Sequence, residues 1–156
     1  MLEYMVDRDR VESVASLLRT IDLTSVDKKV TQKFVDVDYV HGLREETIRF
    51  LSIALGSRGS LAPSQPVDEY WHEMILNTPL YASLSQQMGA FVHHSPSEVP
   101  DVTAYQRTLS AYQAVFGELN PTYWKLDSIG CETTGPACTS PCETTGPGCS
   151  GDVQQK

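Results

Sequence analysis

All four cysteines of the chain stand at the ends of two near-identical octapeptides: Cys131 to Cys138 reads CETTGPAC and Cys142 to Cys149 reads CETTGPGC. A thiol can ligate a soft metal, oxidise or accept a modification, whereas the Thr, Gly and Pro between the thiols cannot build a core. Structural zinc sites pair cysteines about two to four residues apart, and only Cys138 and Cys142 fit that spacing. The pattern is therefore better read as a unit copied in tandem, with loose chelation of copper(I) or zinc as the competing chemistry. Each unit centres on Thr-Thr-Gly-Pro, a turn by composition that an enzyme can reach from both flanks.

A second set lies near the middle of the chain. Asp68 and His72 are four residues apart, so a helix projects both from one side, where they can share a hydrogen bond or a metal ion. His93 and His94 precede Pro96 where the chain turns, and one of them can return to His72. Asp68, His72 and His94 would then make a two-histidine, one-carboxylate set able to hold zinc or iron. The same residues also suit a plain hydrogen-bond network, in which a carboxylate orients a half-buried imidazole, and this is the commoner arrangement. On that reading His72 is buried, and His72→Ala destabilises by about 1–3 kcal/mol. His41, beside Gly42, reads as a surface or cap residue.

Helices must position these groups. Val11, Val14, Ala15, Leu18 and Ile21 recur at three- and four-residue steps, and Val26, Val30, Phe34 and Val37 continue the spacing in a second segment. Gly42 is expected to break the chain before a third helix that carries Leu43, Ile48, Leu51, Ala54 and Leu55 and ends at Gly56. After the loop-like SRGSLAPSQ, Ser64 and Pro66 suit the start of a fourth helix running to about Asn77. Its apolar stripe is Val67, Trp71, Met74 and Ile75, with Glu69 and Glu73 on the opposite, solvated face. A fifth segment runs from Pro79 through Leu80, Leu84, Met88 and Phe91, interrupted by Gly89 and closed by Ser95 and Pro96, and a sixth from Thr103 to Phe116 is closed by Gly117. No stretch alternates with the two-residue period of a strand. The fold class is thus all-α: a multi-helix domain over residues 1–126, closed by an aromatic clasp at Asn120–Trp124, and a flexible tail over 127–156 that carries the cysteine repeats.

The run VDEYWHEMILNTPLY followed by GAFVHHSP resembles the central signature of the glycine-rich domain-containing protein-like family, over about residues 45–124. The likeness rests on the spacing of Asp68, Trp71, His72, Tyr81, Gly89, His94 and Pro96, and the flanks LAPSQPVDEYWH and AYQRTLSAYQAVFG look like the bacterial members. The resemblance implies a cysteine- or glycine-rich tail, which this chain echoes, and no established activity. Many relatives carry a cysteine shortly after the tyrosine, where this chain has Ser85. Plant members place the domain beside glycine-rich and RNA-binding regions, which this sequence lacks.

A formal net charge of −8 leaves no basic stripe to neutralise phosphates, so nucleic acid is not an expected partner. The start MLEYMVDRDRVES does not read as a secretory signal, and no run is long and apolar enough to span a bilayer, so a cytoplasmic protein is expected. In a reducing compartment the clustered cysteines are thiols, ligands or modification sites rather than structural disulfides. An acidic helical leader followed by repeated cysteine peptides is the layout of a precursor of a ribosomally made, post-translationally modified peptide, with a modifying enzyme or other protein as partner. The alternative is a metal-binding protein, or a small metal-dependent enzyme built on Asp68, His72 and His94. No nucleophile–base pattern, phosphate loop or paired-carboxylate motif supports catalysis, which favours a non-enzymatic recognition or scaffold domain.

Overall fold

The computed structural model describes residues 6–94 and 101–126. The chain divides into two units, Met1–Tyr123 and Trp124–Lys156. Among the described residues the protein is all-α, with six helices and no strand: α1 (Arg8–Arg19), α2 (Thr24–Phe34), α3 (Val37–Gly56), α4 (Gln65–Leu76), α5 (Thr78–Met88) and α6 (Val102–Phe116). None of these helices is long and apolar enough to cross a membrane. The cysteine repeats and Pro96 lie outside the described residues.

The expected helices are present with some bounds changed, among them the fifth, which ends at Met88 and leaves Phe91 outside the helix. The second apolar segment does not run on to Val37. It ends at Phe34, Val35 turns at φ 69°, and Asp36 caps α3 by accepting from the amides of Asp38 and Tyr39. Nor does Gly42 break the chain, because α3 runs through it. Its missing side chain instead admits Tyr123: a Cβ at Gly42 would collide with the Tyr123 hydroxyl, which donates to the carbonyl of Tyr39 at 2.9 Å while the two rings lie 5.0 Å apart. Gly42→Ala should therefore expel Tyr123 and cost about 1–3 kcal/mol. Chemical denaturation checks this, and an unchanged midpoint would show that the ring yields freely.

α3 is the central helix and packs against α1, α2, α4 and α6. From Glu46 to Ile53 it buries residues on nearly every side, including Ile48, Phe50, Leu51 and Ile53, so its apolar residues follow no single stripe. α4 starts as its sequence dictates: Ser64 accepts from the amide of Val67 and Pro66 occupies the first turn. Asn77 ends α4 and caps α5, accepting from Leu80, which makes a tight helical hairpin. Gly89, at φ 76°, closes α5 in the left-handed conformation that glycine adopts without penalty, and turns the chain back toward α4.

Candidate functional site

Residues 89–94 return along the α4–α5 hairpin and are pinned to it twice. In the first pin, Trp71 Nε1 donates to the Tyr81 hydroxyl at 3.0 Å, and that hydroxyl donates to the carbonyl of Val92 at 2.6 Å. Trp71 and Tyr81 are both buried, Phe50 of α3 lies 5.5 Å from the indole, and burial pushes the Tyr81 phenol up, so it remains a donor. In the second pin, His94 Nε2 meets Asp68 Oδ1 at 2.5 Å, with the imidazole edge-on to Trp71 at 4.6 Å. Asp68 thus orients a histidine, but not the one four residues away.

His72 corrects the expected arrangement. It is exposed, its ring lies 6.0 Å from that of His94, and it is not the buried partner of Asp68. A helix does place residues 68 and 72 on one side, but the returning loop delivers His94 to the carboxylate and leaves His72 outside. His93 is exposed and lies 4.8 Å from Phe91, which stands edge-on to Tyr81 at 5.1 Å. Among the described residues no group of three or more His, Cys, Asp or Glu is arranged to hold a metal ion. Removing each histidine separates the roles: His94→Ala should cost about 1–2 kcal/mol through loss of the pin, and His72→Ala less than about 0.5 kcal/mol. Equal losses in urea denaturation would contradict this assignment.

Two buried polar clusters went unread in the sequence. In the first, Asp27 of α2 accepts from the Tyr70 hydroxyl at 2.6 Å and pairs with Arg44 at 2.6 Å, tying α2 to α3 and α4. Burial, reinforced by the Asp27 carboxylate, pushes the Tyr70 phenol far above its ordinary value and holds it in the donor state. In the second, Glu46 accepts from the Tyr112 hydroxyl at 2.7 Å and Arg49 donates to the same oxygen at 2.7 Å, joining α3 to α6. Burial and Glu46 push the Tyr112 phenol up to about 12. From Arg49 the cluster continues through Glu45 to Arg19 on α1. The first cluster draws its acid, tyrosine and arginine from three helices, and the second joins an acid and an arginine of α3 to a tyrosine of α6, which suits both to fixing helix register. Glu69 and Glu73 both pair with Lys33 of α2, at 3.0 and 3.1 Å; Glu69 keeps to the expected solvated face, and Glu73 is drawn in toward α2. The sequence signals available were Tyr70, which stands three residues after Val67 and four before Met74, within the buried stripe, and the three-residue spacing of Glu46 and Arg49 on α3.

A family model described as UCP032817-like matches residues 17–113, more than half of the chain. The chain belongs to the UCP032817-like family. The match runs from the end of α1 into α6, so it takes in the helical hairpin, the pinned return and both buried clusters. No curated protein and no solved structure matches the chain. The family match corrects the resemblance to the glycine-rich domain-containing protein-like family. The spacings that carried it have a packing cause: Trp71 must reach Tyr81, Gly89 must reverse the chain, and His94 must arrive at Asp68. Those are demands of a helical hairpin with a pinned return, and they do not mark one family. In this UCP032817-like chain Ser85, the position compared with a cysteine, is buried on α5 with its hydroxyl unpartnered among the described residues.

Proposed function

We propose that the helical domain is a non-enzymatic recognition or scaffold module whose cargo is the pair of cysteine octapeptides, in the manner of a leader joined to modifiable core peptides. The observation that carries this reading is the tandem copy itself: every cysteine of the chain falls in CETTGPAC or CETTGPGC, after the helical body in sequence. A partner that docks on the folded domain holds the attached repeats at an effective concentration of roughly millimolar, so two weakly bound units are processed by one enzyme without separate recognition. The chemistry of the domain agrees with a scaffold. Its buried carboxylates, Asp27 and Glu46, are each engaged by a tyrosine and an arginine, and the Asp68–His94 pair is spent on holding the return segment.

Because the two octapeptides differ at one position, Ala137 against Gly148, an enzyme acting on one should act on the other. Deleting residues 142–149 should halve the mass added to the protein in its native host. Complete loss of the added mass on deleting one unit would instead mean that the four thiols act together around a single centre.

A further inference from the structure

The connection between α2 and α3 consists of Val35 and Asp36 alone, and its backbone is a γ-turn: the Asp36 amide donates to the Phe34 carbonyl at 2.7 Å around Val35, at φ 69° and ψ −31°. A positive central φ gives the rarer, strained form of γ-turn, and a β-branched residue makes it worse. Val35 is the one non-glycine residue with positive φ among those described, and it is 80% exposed, so packing of its side chain does little to offset the strain. The residues on both sides favour a helix. Val26, Val30, Phe34 and Val37 keep helical spacing straight through the turn, and no proline or glycine lies between Thr24 and His41. A continuous helix would return Val35 to the right-handed region and give up the Asp36 cap and the Phe34–Tyr39 ring contact within the chain.

The contacts that cross this turn can all be remade by a second copy. α1 packs on α3, and α2 packs on α3 and α4. Four ion pairs join a residue before the turn to one after it: Arg19 with Glu45, Asp27 with Arg44, and Lys33 with both Glu69 and Glu73. We propose that the α2–α3 turn is a hinge for domain exchange between two copies of this chain. In the dimer residues 24–56 form one helix, and the α1–α2 arm of each copy packs on α3 and α4 of the other, with the native contacts reproduced and two strained turns relieved.

The Lys33–Glu69 pair reports the exchange directly. Isotopically light and heavy full-length protein is mixed, unfolded, refolded at high concentration and treated with a carbodiimide, which joins an amine to a carboxylate in contact. Light scattering should show a dimer, and mass spectrometry should find Lys33–Glu69 cross-links that join light to heavy peptides. Val35→Gly relaxes the turn and disfavours the continuous helix, so it should weaken the dimer about thirtyfold, counting relief at both turns. Val35→Asn, which also tolerates positive φ, should act in the same direction, and Val35→Ala should leave the dimer at least as stable. A chain that stays monomeric after refolding overturns the proposal. So does a dimer whose Lys33–Glu69 cross-links never join light to heavy, or one that folded Val35→Gly and Val35→Asn leave unchanged.

Discussion

Trp71→Ala should lower the stability of the helical body by about 3–5 kcal/mol, the largest loss expected from a single side chain here. The indole is 5% exposed and lies between Phe50 of the central helix and the imidazole of His94, so truncation opens a cavity that rigid neighbours cannot refill. It also removes the Nε1 donor that orients the Tyr81 hydroxyl toward the Val92 carbonyl, so the first pin of the return segment loosens with it. Trp71→Phe should recover much of the packing but not the hydrogen bond, and should fall between the two. Denaturant titration of the three proteins decides this. If Trp71→Ala costs less than about 1 kcal/mol, the hairpin and its return are not held through the indole.

Asp27→Ala should cost about 3 kcal/mol, for a different reason. Its carboxylate is shared by the Tyr70 hydroxyl and the Arg44 guanidinium, and removing it strands a fully buried phenol while freeing a cation. Breaking a buried pair by deleting one partner typically costs about 3–5 kcal/mol, and the lower end applies because the Arg44 side chain is 36% exposed and can reach water. Asp27→Asn keeps an acceptor for Tyr70 without the charge and should lose less. A double-mutant cycle with Tyr70→Phe separates the two bonds: strong coupling between positions 27 and 70 is expected, and additive losses would contradict a shared cluster.

Helical periodicity made the six helices legible, and turn chemistry made several ends legible. Ser64 with Pro66 and Gly117 stand where capping physics puts them, whereas the fifth segment was expected to run past Gly89, where α5 in fact ends. Position 42 misled because a glycine inside a helix reads as a break, while here it makes room for Tyr123, which is distant in sequence. Val35 misled in the opposite sense, since its residue type gives no warning of a left-handed turn. At the candidate site Asp68 and His94 were both singled out, and the structure joins them, but local spacing pointed to His72 as the partner. The Asp27–Tyr70–Arg44 cluster was invisible for the same reason, since it draws on three helices, and in the Glu46–Tyr112–Arg49 cluster spacing could offer only the Glu46–Arg49 pair of α3, not the tyrosine of α6.

On the proposed function, the folded module presents two equivalent cysteine units. Intact mass and thiol titration of the protein purified from its native host test it most directly, because modification, bound metal and disulfides each change the mass differently. The expected result is an added mass made of equal increments, mapped by peptide analysis to Cys131 or Cys138 in one unit and to Cys142 or Cys149 in the other. Four unmodified, freely titrating thiols with no added mass would contradict it, leaving a helical domain without a cargo.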